Sequence, residues 1–322
     1  MEDISVEMQL GWYRQMCLIR AFEREVYQLN TAGLVRGTAH LYIGMEAIAV
    51  GACAAMREED LLTSTHRGHG HCISRNLDLG RMMAEILGRS DGTCGGKGGS
   101  MHIADISRGM LGADGIVGGG IPIAVGAALG GRLKNSASVV FCFFGEGASN
   151  QGSFHEALNL ASVQRLPVVF ICENNLWALS AGFAETTAGG SVANRAKSYG
   201  IPGRNVDGND VQTVFDATRE AAARAREGLG PSLLESASYR WEGHSIFTKR
   251  ELRPESEIQW WKERDPILRL RTRLKETCGT PTETLEQIET AIGIEIAEAV
   301  RFAKSSPLPD PLTATEHIYS HQ

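Results

Sequence analysis

The chain has 322 residues, 43% hydrophobic and 22% charged, enough to bury a sizeable core, with a formal net charge of −6. With no run of Lys and Arg, this balance argues against a nucleic-acid partner, and no apolar stretch reaches the roughly 20 residues of a membrane helix. The acidic start Met1-Glu2-Asp3 is unlike a secretory signal, and 7 cysteines without a Cys-x-x-Cys pair fit reduced thiols in the cytoplasm.

Residues 6–30 have helical spacing, with Trp12, Met16, Ile19, Phe22, Val26 and Leu29 on one stripe suited to a core or a subunit interface. Thr65-His66-Arg67-Gly68-His69-Gly70-His71 is the densest group of nitrogen donors in the chain. Glycine interleaving and the lack of a cysteine at ligand spacing weigh against zinc. The run reads instead as an anion cradle in which Arg67 grips phosphate, with a histidine-rich surface loop as the plain alternative. Between Gly88 and Gly131 glycine is dense, which suits loops whose backbone approaches a ligand closely. Residues 121–133 follow as a helix of small residues around Ala124, suited to tight packing.

Residues 139–144 form a continuous apolar run that stops at Gly145-Glu146-Gly147. A second run, 167–172, ends at Asn174-Asn175, and 153–165 between them has helical spacing. Such runs suit parallel strands buried on both faces, so the unit is βαβ with a right-handed crossover. Both strands then end on one sheet edge, where open α/β sheets bind ligands. Glu146 and Asn175 meet there as oxygen donors, and a hard cation such as Mg²⁺ bridges such groups to phosphates. The reading is a metal-diphosphate site, against the alternative of a tight turn with a solvated glutamate. Neither the dinucleotide glycine pattern nor a Walker loop is present.

Asp210 is placed to cap a helix running to Glu227, ended by Gly228 and Gly230. Residues 232–241 read as a strand closing on Gly243-His244-Ser245, which puts His244 at the functional edge. A polar, irregular loop spans 247–254, expected to be mobile and to order around a ligand. Residues 255–304 are helical and charged. The expected architecture is α/β, a parallel central sheet with helices on both faces. It forms a single domain, 1–322, in which 255–322 is a helical appendage.

These motifs in combination resemble the alpha subunit of the thiamine-diphosphate-dependent, decarboxylating component of 2-oxoacid dehydrogenase complexes, acetoin dehydrogenase alpha subunits most of all. The resemblance runs from about residue 19 to 267. It rests on His40-x-Tyr42-x-Gly44-x-Glu46-Ala47, the run from Thr65 to His71, Gly96-Lys97-Gly98-Gly99-Ser100-Met101-His102, and Gly115-Ile116-Val117-Gly118. Gly145-Glu146-Gly147 through Asn174-Asn175, Val206-Asp207-Gly208 and Gly243-His244-Ser245 complete it.

The resemblance implies thiamine diphosphate and Mg²⁺ as cofactors. It implies Glu146, Asn175 and the main-chain oxygen of Trp177 as metal ligands, and His66, Arg67, His244, Gly147 and Ala148 as diphosphate contacts. Gly115 and Val117 would hold the aminopyrimidine through backbone groups. His40 would lie on the substrate side, so His40 and His244 are the catalytic candidates. It further implies cleavage of acetoin or decarboxylation of a short 2-oxo acid, with acyl transfer to lipoamide. A beta subunit in an α2β2 heterotetramer would supply the activating carboxylate, with the 6–30 stripe and the helix near Ala124 as candidate contacts, and a lipoyl acyltransferase would be the acceptor. Glu46 is expected to make structural contacts only. A transketolase-like transferase and a non-catalytic scaffold are the alternatives. After His244 this chain carries Ile246-Phe247-Thr248-Lys249-Arg250 where the family usually has an acidic loop.

Overall fold

The apolar runs lie side by side at the centre of the fold. The computed structural model describes residues 4–316, so the acidic start Met1-Glu2-Asp3 lies outside the described residues. Its strands are β1 (Leu61–Thr63), β2 (Met110–Gly112), β3 (Val140–Gly145), β4 (Val168–Asn174), β5 (Trp177–Ala178), β6 (Ala181–Gly182), β7 (Gly203–Asp207) and β8 (Ser232–Ala237). Six form one parallel sheet in the order β2-β1-β3-β4-β8-β7, while β5 and β6 pair as a small antiparallel hairpin.

Side chains alternate across the two central strands. Phe141, Phe143, Val169 and Ile171 belong to one apolar core, and Val140, Cys142, Phe144, Val168, Phe170 and Cys172 to the other. Both faces are therefore covered, which is why these strands show no polar alternation. The helices are α1 (Val6–Thr31), α2 (Glu46–Ala54), α3 (His69–Ser74), α4 (Leu79–Ile86), α5 (Gly120–Leu133), α6 (Gly152–Val163), α7 (Phe183–Thr186), α8 (Val211–Arg226), α9 (Glu255–Lys262), α10 (Pro266–Glu276) and α11 (Thr282–Ser305). Helices α5 and α6 cover one face of the sheet, and α8 with α2 and α1 covers the other. No helix among the described residues is long and apolar enough to cross a membrane.

Local signals act as expected at several ends. Asp210 accepts the backbone N–H groups of Gln212 and Thr213, both at 3.0 Å, and Gly228 takes a left-handed φ of 73° just past α8. The strand expected over 232–241 stops pairing at Ala237, where its partner β4 runs out at Asn174. Beyond it, Trp241 donates its backbone N–H to the carbonyl of Ile43 instead.

One expectation is corrected. Trp12, Met16, Ile19, Phe22, Val26 and Leu29 are all buried within this chain, in the core that also holds Leu270, Leu274, Leu285, Ile292 and Ile296. The stripe of α1 is thus covered by α10 and α11 and offers no surface to a partner. Ala124 is likewise fully buried, whereas Ile123 beside it is half exposed. Helices α10 and α11 share the core of α1.

Candidate cofactor site

The strand order reverses between β1 and β3. From β1 the chain passes to β2 on one side, and from β3 it continues to β4 on the other. The crevice at the carboxyl ends of β1 and β3 is the switch point at which open α/β sheets bind ligands. A cavity of about 340 Å³ lies there. His66 and Arg67 border it from the loop after β1, Glu146, Gly147 and Ala148 from the turn after β3, Asn175 and Trp177 from beyond β4, and His244 from beyond β8.

Val117 lines the cavity as well. Gly115 does not, although its neighbours Asp114 and Ile116 do, and a Cβ on Gly115 would stand 3.2 Å from the His102 ring. His40 lies one layer behind, its ring 4.6 Å from that of His66 and 4.8 Å from that of His244. Gly147 permits close approach, since a Cβ there would meet Ala178 Cβ at 2.8 Å.

Glu146 is 2% exposed, accepts the backbone N–H of Asn175 at 3.1 Å, and forms no ion pair among the described residues. Burial pushes its carboxyl above the usual range. A buried carboxylate without a counter-ion is costly unless a cation joins it. With the Asn175 side chain beside it, the oxygen-rich donor set fits a hard divalent cation.

Arg67 completes the wall, and the charge of Arg240 also reaches the site. Arg67 is buried and donates to the carbonyls of Leu41 at 2.9 Å and His244 at 2.7 Å, and burial pulls its pKa down to about 9. Arg240 is buried with Nε and Nη1 unpartnered, and its charge bears on Glu146, His66 and His244. Its Nη2 donates to the carbonyl of Leu179 at 2.7 Å, but the two unpartnered nitrogens favour a nearby anion, and sequence reasoning missed this residue. The available signal was an arginine near the end of the strand-like segment 232–241, shortly before His244.

The cradle holds only in part. His66 and Arg67 face the cavity, but His69 and His71 turn away on α3 and are fully buried. His69 Nδ1 meets Glu23 at 3.0 Å, and its Nε2 meets Ser100 Oγ at 2.9 Å. His71 joins Ser64 Oγ at 2.7 Å and Glu173 at 3.2 Å, with Tyr42 also bonded to Glu173. These two chains of hydrogen bonds fix the loop from behind. Asn174 is also structural, donating to Glu235 at 2.7 Å, and Glu46 is bound to Arg20.

His40, His66 and His244 stay neutral near neutrality. Burial, then the charge of Arg67, lowers them to about 4, 2 and 3 respectively. His40 Nδ1 lies 2.7 Å from the His244 carbonyl, an acceptor, so this nitrogen carries the proton and Nε2 presents its lone pair. The loop after His244 has neither helix nor strand, yet Arg253 ties it down by donating to the carbonyls of Arg240 and, at 2.8 Å, Glu242.

Fold and crevice together define the class: an α/β protein whose switch point sets an unpaired buried carboxylate among buried cationic side chains, as a metal-bridged phosphate ligand requires. The chain belongs to the dehydrogenase E1 component family, which matches residues 13–312. It is 45% identical over 318 residues to the alpha subunit of acetoin:2,6-dichlorophenolindophenol oxidoreductase of Bacillus subtilis, covering 98% of this chain and 95% of that one. The Cupriavidus necator protein of the same description is 43% identical, with 98% and 95% covered. The pyruvate dehydrogenase E1 component subunit alpha of Rhizobium meliloti is 38% identical, with 96% and 89% covered.

Proposed function

We propose that this chain is the alpha subunit of a thiamine-diphosphate-dependent dehydrogenase that cleaves acetoin or decarboxylates a short 2-oxo acid. The observation that carries the reading is Glu146, a buried carboxylate at the switch point with no ion-pair partner among the described residues. Glu146, Asn175 and the carbonyl of Trp177 hold Mg²⁺. His66, Arg67 and His244, with the backbone of Gly147 and Ala148, hold the diphosphate. Gly115 and Val117 steady the aminopyrimidine through backbone groups. When bound, thiamine diphosphate supplies a nucleophilic carbon and an electron sink. This chain orients it, excludes water and offers neutral imidazoles to the substrate, with His40 Nε2 accepting a hydrogen bond from a substrate hydroxyl.

The acyl group then passes to a lipoyl disulfide, which takes up the two electrons of oxidation. The acceptor is the lipoyl acyltransferase of a dehydrogenase complex. Ile116, Val117 and Leu179 border the cavity and are 74%, 48% and 61% exposed. Apolar surface at the mouth of a site suits a partner, here a beta subunit that closes the cavity in an α2β2 assembly and provides the activating carboxylate. All seven cysteines are free, which supports a reducing, cytoplasmic location.

Equilibrium dialysis of thiamine diphosphate against the chain co-purified with its beta subunit tests the reading. Saturable binding that depends on Mg²⁺ and disappears with EDTA is expected. Binding indifferent to Mg²⁺ would remove the metal role of Glu146 and Asn175.

A further inference from the structure

We propose that His40, His66 and His244 form a second cation site, selective for a borderline-soft ion such as Zn²⁺, and that an ion held there excludes the diphosphate cofactor. One nitrogen from each ring lies within 4.8 Å of those of the other two. Zinc bound by imidazole at about 2.0–2.1 Å needs nitrogens roughly 3.4 Å apart, so occupancy would draw the three rings closer together. The chemistry differs from that at Glu146. Imidazole nitrogens favour Zn²⁺, Co²⁺ or Cu²⁺ over Mg²⁺, which prefers oxygen.

One further observation favours occupancy. The bond from His40 Nδ1 to the His244 carbonyl orients one ligand and leaves its Nε2 lone pair available, as a supporting partner does for metal-bound histidine. The charges of Arg67 and Arg240 act against a dication here, so the three imidazole ligands must supply the affinity.

The exclusion rests on the cofactor reading given above, because His66 and His244 cannot serve both the ion and the diphosphate. The metal binding does not rest on it.

The probe is Co²⁺, added to the full chain with its beta subunit and followed by its ligand-field absorption. One saturable band of low-symmetry, nitrogen-rich type is expected, displaced by Zn²⁺ and not by Mg²⁺. His66→Gln should weaken it by about a hundredfold, at the upper end of what loss of a mere supporting partner costs. His40→Gln should act similarly, and His102→Gln, outside the triad, should leave the band intact. A band that survives both triad substitutions in proteins with wild-type circular dichroism, or no band at all, overturns the site. In a second arm, Zn²⁺ should raise the apparent Kd for thiamine diphosphate at least about tenfold, which corresponds to 1.4 kcal/mol. Triad-dependent Co²⁺ binding with unchanged cofactor affinity would retain the metal site and overturn the placement of the diphosphate against these histidines.

Discussion

Glu146→Gln removes a charge and almost no volume, so it isolates the electrostatics of the site. The side chain is 2% exposed and unpaired, and burial raises its pKa from 4.5. In the empty protein the ionised form is a liability, of which we take about 1–2 kcal/mol to survive the field of Arg67 and Arg240. The substitution should therefore raise the unfolding temperature of the empty protein near neutrality by about 2–4 °C, at roughly 2 °C per kcal/mol for a chain of this size. Because the folded pKa is raised, the stability contributed by this carboxyl is fully present below 4.5 and is lost as pH rises through the folded pKa. The gain from glutamine should accordingly grow with pH and vanish in acid. With Mg²⁺ and thiamine diphosphate the sign reverses. Ligand at a hundred times Kd contributes about 2.7 kcal/mol and a hundredfold weaker complex only about 0.4, so the cofactor-induced shift shrinks by about 5 °C and the loaded variant melts about 1–3 °C below loaded wild type. Differential scanning calorimetry of the empty and loaded forms reads both effects. A variant that is less stable when empty, or that keeps the full cofactor-induced shift, would refute the reasoning.

Arg253→Ala should free the loop over 247–254, since charge-assisted hydrogen bonds are worth about 1.5–3 kcal/mol. Trypsin should then cut at Lys249 and Arg250 about tenfold faster, and unchanged cutting would show that Arg253 does not hold the loop. The histidine triad makes acid destabilising: its folded pKa values lie at about 2–4, below the ordinary 6.5, so its contribution is present above 6.5 and is lost as pH falls toward them. Urea titrations of wild type and His66→Gln between pH 7 and pH 4 should give a shallower acid loss for the variant; parallel curves would contradict this. Gly147→Ala places a methyl 2.8 Å from Ala178, and overpacking of this kind costs about 1–3 kcal/mol. Cofactor affinity measured by calorimetry should fall with it, and wild-type affinity would remove the close-approach role of Gly147.

What the sequence carried well was local. Two apolar runs without alternation specified strands buried on both faces, and their common endpoint brought Glu146 and Asn175 within one hydrogen bond of each other. The cap at Asp210 and the glycine beyond α8 were legible for the same reason, because a few neighbouring residues determine them. The fates of His69 and His71 were not legible. Their direction depends on Glu23 and Glu173, which approach only after α1 and β4 have packed. The stripe of α1 likewise specifies an apolar partner without saying that α10 and α11 of the same chain provide it. Arg240 was hidden because an arginine late in a mixed polar and apolar segment reads as a strand terminus, and only tertiary packing leaves its Nε and Nη1 unpartnered.

The central claim is that these residues form one half of a thiamine-diphosphate active site that a second subunit completes. The most direct measurement is acetoin-dependent and pyruvate-dependent reduction of an artificial two-electron dye, with Mg²⁺ and thiamine diphosphate present, by the chain alone and by the chain reconstituted with its beta subunit. The account predicts no turnover by the chain alone and dye reduction with at least one of the two substrates once the beta subunit is added. Turnover by the chain alone, or none with either substrate from a well-folded, cofactor-loaded assembly, would contradict it.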